Sequence, residues 1–267
     1  MWAFPSDFFA FPLNLIFLAV WVVGCVLLWT HCRKSLLVRF FLAPSATFVS
    51  IGLFLALCLV IGFTGLRSLS GSWISVLISL LLQTVLLFVI MRGLRRQTAS
   101  GARLGSIRWR FLLLHVGLLV AVGSAFWGAP DTQTLRMKSY VGEPSREAYF
   151  MDGRQTWLPY EVTLLDFDVE EYDNGVPSAY KAVVEVDGVS ADIEVNDPYV
   201  RGFGEDVYLV GYDAAMGADS SYCILEIVRE PWKYLTVAGI VMLLAGAVLL
   251  FVGGPDRRRS DFESRNL

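Results

Sequence analysis

The chain has 267 residues, 55% of them hydrophobic and only 18% charged, with a mean hydropathy of +0.55. Soluble globular chains carry about 25% charged residues, so this balance points to lipid rather than to a soluble domain. The net charge of −3 hides a segregation. Residues 129–230 hold 21 acidic residues against seven basic ones, a net of −14, and the remainder nets +11.

Taken in chain order, the apolar runs predict five membrane spans, at about residues 8–29, 46–66, 73–91, 111–127 and 233–253. Each has about 17 to 22 residues, which suits a hydrocarbon core of about 30 Å. The first thirty residues carry one charge, Asp7, and no basic stretch, so the first run is expected to be a retained helix rather than a cleaved leader. Arg33, Lys34 and Arg39 follow it. Residues 67–72 form a tight connection between spans two and three. Residues 92–110 hold six arginines and no acid, and 98–101 are expected to be flexible. The 254–267 tail contains Arg257, Arg258 and Arg259. These basic segments sit together on one side if the tail is cytoplasmic, as the positive-inside rule requires. The amino terminus and the acidic segment, 129–232, then lie outside. Trp29, Trp73, Trp109, Trp127 and Trp232 mark the span ends like an aromatic belt.

The acidic segment is predicted to be an all-β domain of four or five antiparallel strands, inserted between the fourth and fifth membrane helices. Leu165, Phe167 and Val169 alternate with acids; Tyr180, Ala182, Val184 and Val186 form a second such face. Asp187-Gly188 signals a type I′ turn, returning through Val189, Ala191, Ile193 and Val195. Residues 207–212 and 222–228 are two further strand candidates. Asn196-Asp197-Pro198 is expected to be a turn. Gly202, Gly204 and Gly211 suit turns or bulges better than a phosphate loop.

Chemistry-bearing residues are few. The cysteines Cys25, Cys32, Cys58 and Cys223 have no paired spacing, and Cys223 is expected to be a buried structural thiol. His31 suits a headgroup-level position beside the first basic stretch. His115 lies about 7 Å into the fourth span. An intramembrane imidazole is costly there, so it is either a ligand or relay group, or an interhelical bond that holds the bundle. Gly117, Ala121 and Ala125 make a small-residue face on the same helix, and His115 points away from it. Its side should therefore meet another helix, a partner subunit or a bound molecule. No Ser-His-Asp set, acid pair or metal-ligand cluster is visible, and no nucleic-acid partner is expected.

From Trp109 to Phe251 the sequence resembles the ResB (CcsB) family, membrane components of System II cytochrome c biogenesis. The resemblance rests on residues in order. These are Phe111 through His115 and Gly117; Leu158-Pro159 through Asp166-Phe167 with Glu171-Tyr172; and Val195-Asn196-Asp197-Pro198. Val207-Tyr208 with Gly211-Tyr212-Asp213, Val228-Arg229-Glu230-Pro231, and Gly239 with Gly246 complete it. It implies a haem-export subunit, non-catalytic or co-catalytic in a cytochrome c haem lyase complex of the bacterial inner membrane. It further implies a CcsA-type partner carrying the tryptophan-rich motif this chain lacks, apocytochrome c as client, and transient haem b with His115 as axial ligand to its iron. The other readings are a scaffold for such a partner that binds no haem, and a small-molecule transporter. A transporter would ordinarily need more than one titrating group within the spans.

Overall fold

The computed structural model describes residues 4–99, 108–171 and 177–252. The loop reading for 100–101, Tyr172 of the family-like stretch and the arginine tail fall outside these residues. The chain divides into two compact units, Met1–Pro130 with Trp232–Leu267, and Asp131–Pro231.

The first unit is helical: α1 (Leu13–His31), α2 (Leu36–Phe41), α3 (Pro44–Thr64), α4 (Trp73–Ala99), α5 (Trp109–Gly128) and α6 (Lys233–Val252). All but α2 contain a run long and apolar enough to cross a membrane, and the chain is a multi-pass membrane protein. The helix boundaries have local causes. Ser35 caps α2, accepting from the Val38 amide at 3.3 Å. Pro44 opens α3 where a missing N–H is harmless, and Gly65, left-handed at φ 64°, ends it. The Arg92 guanidinium donates to the Leu42 carbonyl at 3.1 Å, covering the carboxyl end of α2. The short α2 was read from sequence as loop.

Among these spans α4 is the most enclosed, half of it buried against 11–22% for the others. At one end Phe88 stacks on Phe41 with centroids 5.5 Å apart and meets Trp29 edge-on. The small-residue face of α5 does what its spacing predicts, packing on α6. A methyl group on Gly117 would come within 2.9 Å of the Gly239 carbonyl, and one on Gly239 within 2.5 Å of the Ala121 amide nitrogen. Ser124 and Thr236 share a hydroxyl hydrogen bond at 2.8 Å across the same seam. Ala125 lies off the contact and is exposed.

The second unit is an eight-stranded antiparallel sheet: β1 (Gln133–Tyr140), β2 (Ser145–Phe150), β3 (Gln155–Glu171), β4 (Pro177–Val186), β5 (Val189–Glu194), β6 (Tyr199–Gly202), β7 (Glu205–Tyr212) and β8 (Tyr222–Arg229). The strand order is β5-β4-β3-β2-β1-β8-β7-β6. The sheet therefore has more strands than the sequence suggested: β1, β2, β6 and the first half of β3 are added. Inward alternation puts Leu135, Met137, Val162, Leu164, Val184, Ile193, Leu225 and Ile227 in one core. Asp187 and Gly188 both have positive φ, as a type I′ turn demands. Asn196 is left-handed in its turn, and the β7 register shifts between Leu209 and Gly211, the bulge that glycine was read to mark. Cys223 is fully buried, and burial pushes its thiol up to about 12. It stays a structural thiol at neutral pH.

The α5–α6 seam yields a packing prediction. Gly239→Ala places a methyl against main chain that cannot yield and should cost about 1–3 kcal/mol. Gly52→Ala in α3, where nothing lies within 4 Å, should cost nothing from packing. Thermal unfolding of the solubilised chain should separate the two, with only the Gly239 variant lowered.

Candidate functional site: the α5 imidazole

His115 is held by its own helix. Its Nδ1 lies 2.8 Å from the Phe111 carbonyl oxygen, one turn back. A carbonyl only accepts, so Nδ1 carries the proton. Nε2 has no hydrogen-bond partner among the described residues. The ring also lies against Phe111, centroids 4.1 Å apart. Phe111 in turn is seated on Gly93 of α4, where any β-carbon would collide with its ring. His115 is half-buried. The observed bond stays within α5. The backbone carbonyl thus fixes which ring nitrogen carries the N–H and leaves the other as the acceptor. Among the described residues no three of His, Cys, Asp and Glu gather as a metal cage. His31 is exposed, its Nδ1 shared with the Thr30 hydroxyl and the Leu27 carbonyl, as suits a headgroup-level residue.

A polar cluster in the bundle escaped sequence reading. Gln83 in α4 is 1% exposed and accepts the Trp127 indole N–H at 3.0 Å. The adjacent Thr84 accepts the Trp21 indole at 3.2 Å, and buried Asn14 donates to the Trp127 carbonyl at 3.0 Å. The two indoles lie 6.1 Å apart. One signal was available: Gln83 is a lone amide within the apolar run of 73–91.

The β domain has a second unanticipated cluster. Tyr160, 2% exposed, donates to Glu205 Oε1 at 2.7 Å. Arg201 donates to the same oxygen at 3.0 Å and Arg229 to Oε2 at 2.5 Å. Arg201 stacks over the Tyr160 ring, 3.6 Å from its centroid, and reaches Asp187 at 3.4 Å. Asp187 precedes edge strand β5 and Arg201 lies in edge strand β6, so the pair ties together the two ends of the strand order. Burial alone would raise the Glu205 carboxyl, but donation from Tyr160, Arg229 and Arg201 outweighs it and holds it below the ordinary range. Burial first, and the bond to Glu205 second, push the Tyr160 phenol up, so it remains a donor. The two guanidiniums balance the two carboxylates, leaving no net charge for a ligand to answer.

Residues 92–224 match the ResB-like family. No match is found among curated proteins. Among solved structures the chain is similar to one described as cytochrome c heme lyase CcmF, at 14% identity with a TM-score of 0.43, over 74% of this chain and 33% of that one. The chain thus corresponds to about a third of that protein's length.

The carboxylate cluster sets a pH prediction. A depressed folded pKa stabilises above the unfolded carboxyl value, about 4.3, and that gain is lost as pH falls through the folded value. Glu205→Ala should cost about 2–3 kcal/mol at pH 7, because two guanidiniums and a phenol lose their acceptor. Its unfolding temperature should fall less than that of the wild type between pH 6 and pH 3. Parallel acid profiles for the two proteins would contradict this account.

Proposed function

We propose that this chain, which over residues 92–224 belongs to the ResB-like family, is a haem-handling subunit of a System II cytochrome c maturation complex. The observation that carries the reading is the His115 geometry. A single imidazole with a bare Nε2 suits a metal whose other positions are filled elsewhere, as the four nitrogens of a porphyrin fill those of haem iron. The Phe111 carbonyl would hold the proton on Nδ1 and so keep Nε2 as the ligating nitrogen. When bound, haem would supply the iron that takes Nε2. This chain's own part is to hold the Nδ1 proton, orient the ring and shield one face of it with Phe111.

In this reading the chain helps move haem b outward. A CcsA-type partner supplies the second side of the site, and apocytochrome c receives the haem. The half-buried face of His115 is where that partner or the haem would approach. The net −14 of residues 129–230 favours a basic apocytochrome at low salt. The chain acts as a subunit rather than as the complete lyase.

The test is the haem content of the chain copurified with its CcsA-type partner, by pyridine haemochrome and visible spectra. Haem should be present in the wild type, fall at least several-fold in His115→Gly, and return with added imidazole. Unchanged haem in an intact complex would sink the ligand assignment and leave a scaffold. Orientation is checked separately with a membrane-impermeant maleimide on spheroplasts. Cys32, exposed after α1, should react only after permeabilisation, whereas Val189→Cys should react at once.

A further inference from the structure

The two chain ends of the β domain leave from one end of its sheet. Gln133, at the start of β1, pairs with Arg229 at the end of β8. The register puts two turns at that same end. Leu135 pairs with Phe150, so the β2–β3 turn, residues 151–154, lies there. Glu205 pairs with both Arg229 and Gly202, so the β6–β7 turn lies there too. The Glu230 amide donates to the Gly204 carbonyl at 2.6 Å, which binds this second turn to the departing chain. Gly204, at φ 72°, has no room for a side chain, since a β-carbon would meet the Glu230 carbonyl at 2.5 Å. Three residues later α6 begins, a span of at most about 10 Å of chain.

Both turn tips are apolar and exposed, Met151 at 60% and Phe203 at 77%, with Trp157 at 68% two residues into β3. Four of the charged residues beside them are paired, while Glu230 is exposed. Arg201 and Glu205, which flank Gly202-Phe203-Gly204, are turned inward and paired with each other. Arg154 pairs with Asp152 at 2.7 Å. Exposed large apolar residues gathered at one end of a domain mark an interaction surface. A chain end so close to an apolar span says what covers it.

We propose that this end of the β domain is a lipid-docking surface, with Met151 and Phe203 entering the headgroup region as two rigid tips and Trp157 at the interface beside them. The opposite end offers a matched control, because Met216, in the β7–β8 connection, is also exposed at 55%. The test places a nitroxide at Met151→Cys, Phe203→Cys or Met216→Cys in the full chain carrying Cys32→Ser and Cys58→Ser. Each is reconstituted in phosphatidylcholine–phosphatidylglycerol vesicles without any partner. Accessibility to oxygen and to a water-soluble nickel chelate is then read by electron paramagnetic resonance. Labels at 151 and 203 should be reached by oxygen at least severalfold better, relative to the chelate, than the label at 216. Chelate access at either turn equal to that at 216 overturns the proposal. Haem loading does not enter the readout, so failure here and failure of the haem reading are distinguishable.

Discussion

The close approach of α5 to α6 is the contact on which the most depends. In lipid there is no hydrophobic drive between helices, so association rests on van der Waals contact and a few hydrogen bonds. Gly117, Ala121, Gly239 and Gly246 remove the side chains that would hold the backbones apart, and Ser124 with Thr236 adds a polar tie. The same two helices bracket the β domain in the sequence. Gly128 accommodates the Trp232 ring, so the ends of α5 and α6 lie together. Within the β domain the pairing of Gln133 with Arg229 likewise brings its two chain ends together. Each unit thus fixes the spacing of the two connections by itself.

Each unit has one buried polar cluster tied to residues distant in sequence, while Gln83 Nε2, Ser139 Oγ and Arg201 Nε find no hydrogen-bond partner among the described residues. Leaving such groups unmet costs more than the bond returns. In the bundle Gln83 and Thr84, consecutive on the most enclosed helix, each hold a tryptophan indole from a different neighbour. In the sheet Glu205 gathers Tyr160, Arg201 and Arg229, and Arg201 carries the tie across to Asp187. An open eight-stranded sheet has two unpaired edges, which are a liability. An ion pair from β6 to the β4–β5 turn brings those edges under one local constraint without any further strand pairing.

The spans were legible because hydropathy reports lipid directly, and the Gly117–Ala121 face because a four-residue spacing is a backbone-approach signal. Hydropathy says less about where a helix stops. α4 runs on through Arg92 to Ala99, since arginines leave the membrane without leaving the helix. The second half of β3, β4 and β5 showed a period of two, but β1 mixes Arg136 and Lys138 with Leu135 and Met137 and lacks β-branched residues apart from Thr134. Pro159 lies inside β3. It falls in the stretch between the pairings of Trp157 with Glu147 and Val162 with Ser145, where the register shifts and no ladder bond is demanded of it. His115 stood out because an imidazole in a span is rare. Gln83 and Glu205 did not, because Trp127 and Tyr160, which bond them, lie 44 and 45 residues away, and a polar residue with a remote partner looks like any other.

What sets His115 apart from those clusters is that its hydrogen bond is local. The i−4 carbonyl of Phe111 fixes the protonated nitrogen whatever the other helices do, so the bare nitrogen is a property of α5 alone. The ring plane is another matter. It rests on Phe111, and Phe111 rests on Gly93, so the direction of Nε2 follows the α4–α5 separation. A side chain at position 93 would therefore alter where the lone pair points without touching the imidazole or its proton. The tautomer of the imidazole is written into one helix turn, and the seat of its ring into a glycine on the neighbouring helix.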